Sequence, residues 1–212
     1  MKTLTIDVVS DVVCPWCYVG KRRLEGALDM LAKAHPDVIP EVRWHAFQLN
    51  PDMPSEGIER AEYVRNKFGD RAEHIYERVS GVGEDVGIDF KFDQIKRQPN
   101  TIRAHSLIGA CESPVVQDRM VEAMFQAYFL DGRDLTDAQV LVEVAISAGM
   151  SPFAAEECLA NDDLMQVTRD SDQSARDMGV NGVPFFIFNR KVGVSGAHES
   201  DSLFKAMTES VA

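Results

Sequence analysis

Ser10-Asp11-Val12-Val13-Cys14-Pro15-Trp16-Cys17-Tyr18-Val19-Gly20-Lys21 is the stretch on which the fold turns. Immediately before it, Leu4 to Val9 alternates β-branched and polar residues and predicts a strand. Immediately after it, Leu24, Leu28 and Leu31 recur at helical spacing, so a helix is predicted through about Ala34. Pro15 suits the first helical position, where its missing N–H has no partner to lose. The two cysteines therefore stand between a strand and a helix. Cys14 meets the unpaired N–H groups and the positive end of the helix dipole, which favour a thiolate. Cys17 lies one turn further in, on the same side, as a resolving partner.

Working outward, Pro36 and Pro40 bracket the helix exit, and Val42 to Leu49 predicts a second strand ended by Asn50-Pro51. The chain thus opens β-α-β. From about 53 to 165 the periodicity is helical, with the clearest segments at Glu59–Val79, Thr101–Glu112, Val115–Leu130 and Thr136–Ala148. Gly81, Gly83 and Gly87 predict a loop between helices. Thr136 with Gln139 matches a capping box, and Ser151-Pro152 matches a cap followed by Pro at the first helical position. A helix over about Leu164–Met178 ends at Gly179. Val183 to Phe188 then predicts a strand, Lys191 to Ser195 a short partner, and Ser200 to Val211 a last helix. The α/β frame is therefore split, with residues 1–52 and 166–212 forming one discontinuous domain and 53–165 an all-helical insertion.

The chain has 212 residues, 45% hydrophobic and 26% charged, enough for a sizeable core without disulfide staples. A net charge of −12 repels phosphate backbones and anionic membranes, so neither nucleic acid nor membrane is an expected partner. Asp7 and Asp11 interrupt any apolar core of a signal peptide, which makes a cytoplasmic location the expectation. In a reducing compartment, four cysteines are not a structural framework, and a close pair is catalytic or metal-binding. A zinc site needs two further ligands. The chain has no second C-x-x-C, which leaves only a remote combination such as Cys111 with His105, and no metal is expected.

The quoted stretch resembles the active-site segment of DsbA-like proteins of the FrnE-like branch, and Gly182-Val183-Pro184-Phe185-Phe186 resembles that family's cis-proline loop. Phe47-Gln48-Leu49-Asn50-Pro51, Asn100-Thr101, His105 and Gly196-Ala197 also fit. The resemblance spans nearly the whole chain and implies a thioredoxin fold interrupted by a large helical insertion domain. It implies a thiol–disulfide oxidoreductase with Cys14 and Cys17 catalytic, and Pro15, Trp16, Val183 and Pro184 contacting substrate. It also implies a cis bond before Pro184, against the plainer alternative of a trans proline opening a strand. Substrates are thiol- or disulfide-containing proteins or small molecules, and no cofactor is needed beyond the cysteine pair, with glutathione as a candidate co-substrate. Related kappa-class glutathione transferases and hydroxychromene-carboxylate isomerases typically carry Ser at the position of Cys14, which makes a glutathione-dependent isomerase or transferase the alternative. A non-enzymatic redox-sensing module is a third reading. Asn100, Thr101 and His105 line a small-molecule cleft on one view, and are a helix cap and a surface histidine on the other. Asp11 either tunes Cys14 or moves a proton, or else serves as a turn or cap. Lys21, Arg22 and Arg23 are expected mainly as a solvated helix face, and Cys111 and Cys158 as small, unbonded core residues.

Overall fold

A computed structural model describes residues 2–211. At its centre is β1 (Lys2–Ser10), whose Leu4, Ile6 and Val8 are fully buried. It pairs in parallel with β2 (Val38–Ala46) and antiparallel with β5 (Phe185–Phe188). β5 in turn pairs with β6 (Val192–Ser195), so the strand order is β2-β1-β5-β6. The parallel β1–β2 connection is made by α1 (Pro15–Ala34), as such a crossover requires. Leu24, Ala27 and Leu31 of α1 pack with Leu203, Ala206 and Met207 of α9 (Ser200–Val211). This is a thioredoxin frame. β2 begins at Val38, four residues before the predicted Val42, and takes Pro40 into an edge strand, where a missing donor is tolerated. It ends at Ala46 rather than Leu49, the bond from Phe47 N–H to Ser10 O at 3.0 Å being the last rung it shares with β1.

Between β2 and β5 the chain is mainly helical. The two-residue strands β3 (Ile58–Glu59) and β4 (Arg97–Gln98) pair with each other. The helices are α2 (Arg60–Phe68), α3 (Ala72–Asp85), α4 (Ile102–Gly109), α5 (Pro114–Phe129), α6 (Ala138–Ser147), α7 (Pro152–Ala160) and α8 (Asp162–Asp177). The helical layer is joined to α1 through aromatics. Tyr18 stacks on Phe125 at 4.8 Å between ring centres and meets Phe90 edge-on at 6.1 Å, and its hydroxyl donates to Glu122 at 2.9 Å. One core therefore runs from the sheet through α1 into α5. On the sheet's outer edge, Gln117 of α5 imitates a neighbouring strand. Its Oε1 accepts from Trp44 N–H at 2.8 Å and its Nε2 donates to Trp44 O at 3.3 Å, which closes an edge otherwise open to aggregation.

Several local expectations need correction. The helix predicted over Glu59–Val79 is two helices, broken at Gly69, whose φ of +54° is left-handed and ends α2. Gly81 and Gly83 lie inside α3 rather than in a loop; at Gly83 a Cβ would stand 2.6 Å from the Phe90 ring, so glycine is there for close approach. Thr136 does not cap α6. Asp137 does, accepting from Gln139 N–H at 2.8 Å, while the Thr136 hydroxyl donates to Asp134. Ser151 caps α7, accepting from Ala154 N–H at 3.2 Å. Since α8 runs unbroken over 162–177, a domain boundary between 165 and 166 falls within a helix. Among the described residues no helix is long and apolar enough to cross a membrane.

Candidate active site

β1 ends at Ser10, and the chain turns tightly so that Cys14 N–H reaches Asp11 O at 3.0 Å. Cys14 is the N-cap of α1, in extended conformation, with no side chain capping the helix there, and Pro15 follows it. Cys17 N–H and Tyr18 N–H both point back to Cys14 O, at 3.0 and 3.4 Å. The sulfurs of Cys14 and Cys17 therefore occupy the first turn together, and both thiols are free. Cys14 is 5% exposed and Cys17 wholly buried. Burial, and next the neighbouring Cys14, push the Cys17 thiol well above its ordinary range, whereas the Ser10 side chain and the Asp11 backbone oppose this. Cys17 thus holds its proton until something removes it.

The Val183–Pro184 peptide is cis, and it stands over the pair. Cys14 Sγ is 3.6 Å from Val183 O, and Pro184 O accepts from Gly196 N–H at 2.8 Å, anchoring the loop to the end of β6. Gly20 of α1 lies beneath this loop: a Cβ there would be 2.9 Å from Pro184 Cγ. Pro15, Trp16 and Val183 are half-buried around Cys14, and Pro184 is buried.

Thr101 and His105 are buried, which overturns the surface-histidine alternative. His105 Nε2 faces Asp11 Oδ1 at 3.2 Å, and Asp11 Oδ2 accepts from Leu49 N–H at 2.8 Å. Asn100, rather than Thr101, tethers the start of α4, accepting from Ile102 N–H at 3.0 Å. Gln48 Nε2 donates to Asn100 Oδ1 at 3.0 Å, and Gln48 is itself fixed through its backbone to Asp172 and Arg176 of α8. These groups form a polar network beside the cysteine turn. They are not one cleft: His105 also lines a cavity of about 420 Å³ between β2, α4, α5 and α8, which Asn100 and Thr101 do not border. Gln48 belonged to a quoted motif, but nothing in the sequence pairs it with Asp172, 124 residues away.

The basic run after the cysteines is not a solvated face. Lys21 is 3% exposed and lies 2.5 Å from Glu25, 3.1 Å from Asp118 and 3.5 Å from Glu122. Burial alone would lower Lys21, but those carboxylates outweigh it and raise it. Arg22 pairs with Glu122, and Arg23 with Glu199 and Ala197 O, so little of this charge is left to act on Cys14. Among the described residues no three His, Cys, Asp or Glu side chains cluster as a metal site; Cys111 donates to Leu107 O at 3.3 Å.

The profile of the family described as DSBA-like thioredoxin domain matches residues 5–208. A solved structure described as a probable DsbA oxidoreductase from Streptomyces coelicolor is 27% identical, covering 98% of this chain and 90% of that one, with a TM-score of 0.88. A 2-hydroxychromene-2-carboxylate isomerase shares the fold at 16% identity, 97% and 95% coverage and a TM-score of 0.71. So does the cytosolic disulfide reductase DsbM from Pseudomonas aeruginosa, solved with glutathione, at 16% identity, 97% and 95% coverage and a TM-score of 0.61.

Proposed function

Because the chain belongs to the DsbA-like thioredoxin-domain family, we propose that it exchanges thiols and disulfides through Cys14 and Cys17. The observation that carries this is the first turn of α1. It places a free thiol under the Val183 carbonyl at 3.6 Å and a second, fully buried thiol one turn behind it. Cys14 attacks a substrate disulfide and releases the first thiolate. Cys17 then attacks Cys14 in the mixed disulfide, freeing the second thiolate and leaving Cys14–Cys17 oxidised. The same steps reversed oxidise a dithiol. Pro15, Trp16, Val183 and Pro184 border the docked substrate, and the Val183 backbone supports pairing with an extended peptide. Electrons travel on the cysteines alone, so no metal, flavin or nucleotide is required, and glutathione serves as a thiol co-substrate. The helical segment inserted between β2 and β5 forms the second wall, and the site works in the cytoplasm.

Mixed-disulfide trapping tests this. Cys17→Ser accumulates adducts on Cys14 that mass spectrometry counts, and Cys14→Ser accumulates none; reversed behaviour assigns the attacking thiol to Cys17. The likeness in fold to 2-hydroxychromene-2-carboxylate isomerase supports a second reading, a glutathione-dependent isomerase. That reading requires Cys17→Ser to keep isomerase activity and the parent protein to show no disulfide turnover.

A further inference from the structure

Much of the 420 Å³ cavity between β2, α4, α5 and α8 is walled by polar groups that already have partners. Gln117 uses both ends of its amide on the Trp44 backbone. The Thr168 hydroxyl donates to Leu164 O and meets the Ser106 hydroxyl at 3.0 Å. Half-exposed Arg43 turns its guanidinium to Glu41, and His45 Nε2 faces Asp7 Oδ1 at 2.8 Å. The Glu112 carboxylate, the Ser171 hydroxyl and one ring nitrogen of His105 border the same cavity and have no partner among the described residues.

His105 decides what such a cavity can hold. Its side chain is 3% exposed, and Nε2 faces the buried Asp11 carboxylate at 3.2 Å. A carboxylate oxygen only accepts, so a neutral imidazole in that contact carries its proton on Nε2 and leaves Nδ1 as a bare acceptor. Nδ1 is not sealed inside the packing. The wholly buried side-chain atoms without a partner are Arg23 Nε and Gln98 Nε2, and Nδ1 is not one of them. It opens instead to the cavity that His105 borders. A polar atom on a side chain this deeply buried is matched by whatever occupies the space in front of it.

Charge points the same way. Arg43 and Glu41 cancel, so Glu112 sets the net sign of the lining when its histidines are neutral, and the chain as a whole carries −12. Among the described residues no three His, Cys, Asp or Glu side chains converge as metal ligands, so the complementary cation is an organic one. Ile108 and Pro114 add apolar wall, and Val167, 63% exposed, carries it out to solvent. The volume lies within the range of small-molecule sites, about 300–1,000 Å³. We propose that this cavity binds a small organic amine. The ammonium donates to His105 Nδ1, Glu112 supplies the counter-charge, and the apolar remainder rests on Ile108, Pro114 and Val167. Neither Cys14 nor Cys17 borders the cavity, so this site stands apart from the exchange chemistry and does not rest on it.

Calorimetric titration about one pH unit above the ordinary histidine range compares 2-phenylethylamine, 2-phenylethanol and phenylacetate, probes of similar shape that differ in charge. The amine should bind with a Kd of about 1 mM or below, as befits a ligand of this size. The alcohol should bind about fivefold more weakly, the size of one partly exposed charge pair, and phenylacetate more weakly still. In nitrogen-15 spectra the amine should move the Gly109 and Ser171 amides, which border the cavity, and shift His105 Nδ1 toward its protonated position. Glu112→Gln, an exposed substitution, should weaken the amine about fivefold and leave the alcohol unchanged. His105→Gln keeps an amide N–H for Asp11 and should weaken both about tenfold. Binding of phenylacetate as tight as the amine's overturns the proposal. So does an amine that saturates without moving the His105 signal, or no amine binding up to about 20 mM. If His105→Gln does not fold, Glu112→Gln and the parent's His105 signal decide.

Discussion

Replacing Gly20 by Ala is a test in which two known effects oppose each other and the structure decides between them. Gly20 sits within α1, where Ala is the better helix former by about 1 kcal/mol. The new Cβ, however, would stand 2.9 Å from Pro184 Cγ, 3.2 Å from Phe186 Cζ and 3.4 Å from Pro184 Cβ. Carbon atoms rest at about 3.5–4.0 Å, so the proline loop must retreat by roughly 0.6–1 Å. The obstacle is a ring and a fully buried Phe186, not the free end of a flexible chain, so relief is limited. Overpacking of this kind costs about 1–3 kcal/mol, which exceeds the helical gain and leaves a net loss of about 1 kcal/mol. For a chain of this size, Tm should fall by about 2–4 °C. Exchange should suffer more than stability, because the same retreat draws Val183 O away from its 3.6 Å contact with Cys14 Sγ. A displacement near 1 Å at a reacting centre costs up to about 100-fold. Thermal unfolding by circular dichroism, with turnover of a small disulfide measured on the same samples, reads both quantities. A Gly20→Ala protein that melts higher than the parent and exchanges at the parent's rate would refute the close packing of α1 against the loop.

Three further outcomes follow from the geometry. Asp137→Ala should lower stability by about 1 kcal/mol in urea unfolding, and Thr136→Val by clearly less, since the Asp137 side chain caps α6. Lys21→Met should cost about 1–3 kcal/mol at pH 7, moderated because Glu25 and Asp118 are partly exposed and Arg22 still pairs with Glu122. The reduced protein should lose stability as pH rises past about 8.5, because folding raises Cys17 above its ordinary range and Cys111 to about 11, by burial first and then by Cys158. Both contributions are whole below the unfolded thiol's range and vanish above the folded one, so the urea midpoint should fall between pH 7 and 10 and fall less in Cys111→Ser.

What the sequence determined by itself was whatever lies within one or two turns of chain. Cys14 at the start of α1, Pro15 behind it, the Ser151 cap and the closing strand–strand–helix order all rest on neighbours a few residues apart, where backbone geometry and hydrophobic period act directly. Only the tertiary structure decided which charged and polar residues are buried. The run Lys21-Arg22-Arg23 reads as a wet helix face until α5, about 100 residues on, brings Asp118 and Glu122 against it. His105 reads equally as a cleft residue or a surface one until α4 packs beside β2 and turns its ring onto Asp11, 94 residues earlier. Gln117 has no strand to imitate until the edge of β2 is in place. Burial of a polar group is tolerated only where a partner meets it, and a partner set by packing between distant segments leaves no periodic mark in either one.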